Sequence, residues 1–208
     1  MSNSSASSMG ATSEDAPSLT ASAIVAPAVS GSHILRIEGY SRTKGLGNGK
    51  SITSETFSIG GHRWHLKYYP DSRDSKDSDL ISIFLHLDHA ADRKEVRAIF
   101  TISLLDQNGN KVPSYSKSSM LYCSFSAGRQ GTMGYDLIKR SELEGSAAYL
   151  KDDAFSVRCD VTVAKEIFTK AIQVPGVGRS GVVEQEQKEG VVEQEQKEAT
   201  SPPVGNGV

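Results

Sequence analysis

Several groups of residues in this 208-residue chain have types and spacings that invite chemistry. Gly45 to Ser51 closes on Gly49-Lys50-Ser51, the ending of a loop that cradles phosphate with backbone N–H groups. That loop needs a glycine five positions before Gly49, where Lys44 stands, and a helix after it, where the pattern is strand-like. His62 and His65 lie three apart, which on a helix suits a shared metal and on a strand sends the two rings to opposite faces. Asp71, Asp74, Asp77 and Asp79 could offer oxygens to calcium, but Arg73 and Lys76 interrupt them, and the glycine and closing glutamate of a calcium loop are missing. They read as a solvated loop. Cys159 falls among apolar strand positions, where a thiol is inert, and Cys123 has no basic neighbour in sequence to activate it. No Ser/His/Asp or Cys/His arrangement assembles, so neither an enzyme nor a metal or other cofactor is expected.

The elements that would carry these residues are strands. In Phe155 to Val163 apolar and polar residues alternate strictly, with Phe155, Val157, Cys159, Val161 and Val163 on one face and Ser156, Arg158, Asp160 and Thr162 on the other. Leu80 to Asp88 alternates likewise, with Ile81, Ile83, Leu85 and Leu87 inward, and Phe84 as the odd apolar member of the outward set. His62 to Tyr69 places Trp64, Leu66 and Tyr68 together and ends at Pro70. Further strands are expected at His33 to Tyr40, Ile52 to Ile59, Val96 to Leu105 and Leu121 to Ala127. Asn108-Gly109 marks a tight hairpin turn, and Lys139 to Glu144 suits a single helical turn. Seven or eight short strands without long amphipathic crossover helices predict an all-β antiparallel sandwich.

Residues 1–31 hold no Lys or Arg and are rich in Ser and Ala. Residues 168–208 run into Gly, Pro and an exact tandem nonapeptide, Gly181 to Glu189 repeated as Gly190 to Glu198, with six Glu against two Lys. Both segments are expected to be disordered tails around a domain spanning 32–167, since neither buries enough apolar area to offset its ordering. The formal net charge of −2 and the lack of a basic stripe argue against nucleic-acid or membrane partners. With no signal peptide or apolar span in view, an intracellular protein of nucleus or cytoplasm is expected, and its two cysteines are expected to stay as thiols.

Trp64-His65-Leu66-Lys67-Tyr68-Tyr69-Pro70, Leu80 to Leu85, Val96 to Leu105 and Gly145 to Val163 with Tyr149-Leu150-Lys151-Asp152-Asp153 resemble, in order, the MATH (meprin and TRAF homology) domain. The likeness covers about Ser32 to Lys165 and is closest in style to plant MATH-BTB proteins, relatives of the speckle-type POZ protein. It implies an eight-stranded antiparallel sandwich that holds short Ser/Thr-rich motifs of target proteins in a shallow groove, as the substrate-recognition part of cullin-3 ubiquitin ligase adaptors. Carried over singly, the groove positions fall on Phe84 and Phe100, loosely on Tyr122 or Cys123, and on Met133, Gly134 and Tyr135. Methionine stands where the family has tryptophan, and Asp136 stands where a basic residue is common. For Phe100, alternation beside Ile102 and Leu104 leaves a core role open beside the groove role.

In such adaptors a BTB domain of about a hundred residues follows the sandwich, and the 40 or so polar residues after Ile167 cannot hold one. The expectation is a MATH module without its own BTB domain. Its partners would be target proteins bound through short linear motifs, with full-length MATH-BTB relatives as further candidates and no direct cullin-3 contact. The alternative is a TRAF-like self-association or scaffold module, for which no coiled-coil heptads precede the sandwich.

Overall fold

The structure, a computed structural model, describes residues 19–74, 79–88, 95–126 and 131–173. Ala21–Ile172 forms one unit. Along the chain come β1 (Ser22–Val25), β2 (Ala28–Glu38), β3 (Ile52–Thr53), β4 (Phe57–Ile59), β5 (His62–Tyr69), β6 (Leu80–Leu87), β7 (Val96–Leu105) and β8 (Lys111–Ser118). Then follow β9 (Cys123–Phe125), β10 (Thr132–Lys139), the one-turn helix α1 (Arg140–Glu144), β11 (Ala154–Ala164) and β12 (Phe168–Ala171).

Alternation decides which side chains meet. The inward residues of β11 are buried and its Ser, Arg, Asp and Thr are half-exposed, as period two requires. β5 and β6 turn Trp64, Leu66, Ile81, Ile83 and Leu85 to the same interior, and β7 adds Ala98, Phe100, Ile102 and Leu104 from the facing sheet. One sheet runs β10-β6-β5-β3 with β4 beside β5, and the other runs β2-β11-β7-β8 with β9 beside β7. All pairings are antiparallel. Trp64 is fully buried and stands edge-on to Phe125 at 5.1 Å, while its Nε1–H donates to the Ile59 carbonyl at 3.1 Å. Removing that ring would cost about 3–5 kcal/mol.

The antiparallel sandwich expected from the pattern is the architecture found; among the described residues its two sheets hold ten strands where seven or eight were expected, and β1 with β12 adds a separate pair. The expected strand Ile52 to Ile59 breaks into β3 and β4, because Ser54 turns its hydroxyl inward to accept from Leu66 N–H at 2.9 Å. β8 escaped the sequence reading. It is an edge strand of Lys, Ser and Pro with little to bury, and it pairs with β7 across the Asn108-Gly109 turn, where Gly109 has φ 83°. Asp106 holds that turn by accepting from the Asn108 and Asn110 N–H groups at 2.9 and 2.8 Å.

The ordered sheet also reaches beyond the expected 32–167. Ala28 to Ser32 continues β2 against β11, and β1 pairs with β12 as a two-stranded extension. Polar residues suffice there because ladder bonds come from the backbone, with Ser30 and Thr162 hydroxyls 2.8 Å apart across the pair. The expectations for residues 1–18 and 174–208, including the tandem repeat, lie outside the described residues, as does Asp77.

Candidate functional site

β10 is an edge strand and brings most of the expected residues together. Antiparallel partners point to the same face, so the register with β6 assigns each side chain. Gly134 opposes Phe84 and Asp136 opposes Ser82 on the outer face, while Met133 opposes Leu85 and Tyr135 opposes Ile83 on the inner one. The expected set therefore divides around β10.

On the outer face Phe84 is half-buried and lies against Gly134. A Cβ at position 134 would stand 2.6 Å from the Phe84 Cγ, so the ring needs a glycine beneath it. Tyr69 meets Phe84 edge-on at 5.5 Å, and the Arg73 guanidinium carbon lies 4.4 Å from the ring centroid on the face of the aromatic. Lys67 is the cross-strand partner of Phe84 on β5. Farther along this face His65 and His86 rings lie 4.5 Å apart. His65 Nδ1 is 2.6 Å from Asp88, and His86 contacts the Thr132 hydroxyl.

On the inner side Tyr135 is half-buried and stacks on Phe100 at 5.6 Å, with Met133 beside the core. Burial, and then the nearby Cys123 sulfur, push the Tyr135 phenol above its ordinary value, so it stays a neutral donor. Phe100 is only 2% exposed and also meets Phe125 at 6.0 Å. It is the floor under Tyr135, and the core role left open by alternation is the one its burial supports. Cys123, not Tyr122, shares this inner face, since β9 pairs Cys123 with Ala98. Tyr122 is exposed on the opposite face, where the Arg97 guanidinium lies 5.5 Å from its ring centroid. The structure does not bring Tyr122 to the other site residues, because one step along a strand reverses the face. From β8, Lys117 Nζ donates to the Asp136 carbonyl at 2.5 Å and ties the two edges.

The glycine-rich loop also binds an anion, though an internal one. Gly45 and Gly47 N–H groups donate to the Asp71 carboxylate at 3.2 and 2.8 Å, and Arg140 pairs with the same carboxylate at 2.5 Å. Asp71 is 3% exposed, so the loop's donors are taken up in structure. No group of three potential metal ligands occurs among the described residues, and no helix among them is long and apolar enough to cross a membrane. Sequence reasoning missed Lys67 and Arg73. Lys67 was visible as an outward position between Leu66 and Tyr68, but Arg73 sits in a loop without periodicity.

A family model for the MATH domain matches residues 32–161. The chain is 38% identical to BTB/POZ and MATH domain-containing protein 4 of Arabidopsis thaliana over 152 residues, 71% of this chain and 32% of that protein. To Arabidopsis protein 3 of the same series it is 41% identical over 143 residues, 66% of this chain and 34% of the relative. TD and POZ domain-containing protein 3 of Mus musculus is 28% identical over 127 residues, 60% of this chain and 34% of that protein. The chain spans about a third of the length of the curated relatives it matches. Among solved structures, Notothenia coriiceps TRAF5 aligns over 74% of this chain and 77% of that one, at 20% identity and a TM-score of 0.46.

Proposed function

Since this chain belongs to the MATH-domain family, we propose that its β10 edge receives short Ser/Thr-rich linear motifs of target proteins. The observation that carries this reading is the division of aromatic surface around one edge strand: Phe84 over Gly134 outside, Met133 and Tyr135 over Phe100 inside. An extended peptide laid along such an edge gains main-chain hydrogen bonds, and its alternate side chains reach the two faces in turn. Phe84 and Tyr135 are the contacts it would use, with Met133 and Gly134 shaping the path and Phe100 supporting from below. In the setting of the plant MATH-BTB relatives, this recognition would select targets for a ubiquitin ligase, a role in which the module itself performs no chemistry.

The test compares wild type with a Phe84→Ala, Tyr135→Ala double variant. Ser/Thr-rich peptides should shift amide resonances of β10 and β6 in the wild type, and pull-downs should lose their specific partners in the variant. Loss of about 1–3 kcal/mol of binding is expected for the pair, with circular dichroism unchanged. Equal capture by both proteins, or peptides that leave β10 resonances in place, would sink the reading.

A further inference from the structure

β1 and β12 form a ribbon that buries little of itself. All four residues of β12 are exposed, Ile24 on β1 is 78% exposed, and Ile167 lies open just before β12 begins. Two short strands so thinly covered are marginal in water, and further strands are what stabilise them. We propose that β12, extended back to Glu166, is an interface between two copies of this chain, which pair antiparallel along its open edge with Phe168 on the two-fold axis. The inference stands apart from the reading of β10.

The backbone decides which edge is open. Ile172 N–H donates to the Ala21 carbonyl at 3.0 Å, continuing the register in which Lys170 faces Ala23 and Phe168 faces Val25. Backbone groups alternate sides along a strand, so Phe168, Lys170 and Ile172 turn theirs to β1. Those of Thr169 and Ala171 point the other way, to an edge that no strand among the described residues pairs. Ile167 to Ile172 holds no proline to blunt that edge, whereas the β8 edge carries Pro113.

Symmetry then limits the registers. In an antiparallel ladder, facing residues either both turn their backbone groups toward each other or both turn them away. Two copies of one strand can therefore set a residue against itself or against one an even number of positions off, so the axis passes through a residue. With the axis at Phe168, Glu166 faces Lys170 of the second copy and Ile167 faces Thr169, each twice by symmetry. An axis at Lys170 opposes two ammonium groups. At Thr169 it sets Glu166 against Ile172, and at Ile167 it sets Glu166 against Phe168. The Phe168 axis is the one that matches opposite charges.

The side chains suit that register. Glu166, Phe168 and Lys170 alternate onto one face of the extended strand. Glu166 and Lys170 are exposed, and neither has an ion-pair partner among the described residues. Because Phe168 turns its backbone groups to β1, it meets its copy as the close, non-hydrogen-bonded kind of pair, with Val25 as neighbour on β1. Facing aromatics and facing opposite charges are what stabilise such a ladder. Pairing makes one sheet of four strands from two ribbons. On the β10 reading the pair also carries two peptide edges, so a target with two motifs would be held at both.

Sedimentation equilibrium of the full chain tests the interface. Wild type should pass from monomer to dimer below about 100 μM. Glu166→Lys and Lys170→Glu should each weaken the dimer about tenfold, since each turns two attractive pairs into two repulsive ones, and added salt should narrow the difference. A mixture of the two variants restores both pairs and should dimerise as wild type does, which also shows that each variant folds. Oxidised Phe168→Cys should cross-link the copies, because Cα atoms about 4.5 Å apart in a non-hydrogen-bonded pair lie within disulfide reach. Thr169→Cys should not, with wild type giving the background from the half-buried Cys123. A wild type that stays monomeric, a trimer, an association that both charge variants leave intact, or a mixture that fails to dimerise would overturn the proposal. Cross-linking through Thr169→Cys in place of Phe168→Cys would overturn it as well.

Discussion

Gly134→Ala is the substitution whose cost follows most directly from distances. An added Cβ would lie 2.2 Å from the Ile83 carbonyl oxygen, 2.4 Å from Phe84 Cα and 2.6 Å from Phe84 Cγ. Two of these atoms are backbone of β6 and cannot rotate away. A real Cβ keeps at least 3.0 Å from such atoms, so β10 must retreat by about 0.8 Å at this point. Hydrogen bonds near 2.9 Å stretched by that amount pass beyond useful length. Two ladder bonds at about 1 kcal/mol each, with about 1–3 kcal/mol for overpacking, give a loss of about 3–5 kcal/mol. For a domain of this size that lowers Tm by on the order of 10 °C. Urea unfolding followed by Trp64, the single tryptophan, measures it. Gly145→Ala is the control, since φ there is −74° and the added Cβ meets the Ser141 carbonyl at 3.2 Å and the Glu142 carbonyl at 3.9 Å, so less than about 1 kcal/mol is expected. A Gly134→Ala protein within about 0.5 kcal/mol of wild type would refute the account of how β10 and β6 fit, and with it the placement of Phe84.

Other outcomes follow from the polar network under the same face. Asp71→Asn should cost on the order of 3 kcal/mol in urea unfolding, because it leaves the largely buried Arg140 with only the more distant and more exposed Asp79 carboxylate, at 3.7 Å; amide exchange at Gly45 and Gly47 should quicken, and unchanged exchange would count against the clamp. Hydrogen bonds from Lys44 and then Tyr40 hold the Glu144 carboxyl below its ordinary range, so its contribution is present above the unfolded pKa and is lost as pH falls through the lower folded value. Burial, and then the hydrogen bond to Glu144, push the Tyr40 phenol up, so that contribution is present below about pH 10 and is lost as pH rises above it. Stability against pH should accordingly flatten on the acid side in Glu144→Gln and on the alkaline side in Tyr40→Phe; parallel curves would contradict both assignments.

The parts of the fold legible in the sequence are those where burial of one face enforces period two. β11, β6 and β5 announce their inward residues because a slip by one position would put Trp64 or Val161 into water. β8 carries no such signal, being an edge whose Ser and Lys residues face solvent and whose pairing is written only in the Asn108-Gly109 turn. The same limit hid β1 and the start of β2, where backbone ladders hold Ser and Ala without any apolar stripe. At the site, Phe84 stood out as an apolar residue on a polar face, and Gly134 and Tyr135 entered through the family likeness. Choosing between Tyr122 and Cys123 required the register of β9, a tertiary fact fixed by Phe125 entering the core beside Val96. Arg73 was invisible for a different reason. Its position comes from a loop clamped by Asp71, and contacts between a loop and a distant glycine run leave no periodic trace.

The pairing of β2 with β11 also bears on how the protein comes into being. Ser30 and Thr162, bonded across that ladder, are 132 positions apart. A ribosome adding about 5–20 residues per second needs on the order of ten seconds between them. Through that interval β11 is missing from the middle of its sheet, leaving β2 and the adjoining side of β7 without their shared neighbour. The nascent chain must wait with Phe100 and Ile102 uncovered by Val161 and Cys159, which makes β11, the last long strand among the described residues, the step that commits it to the native state.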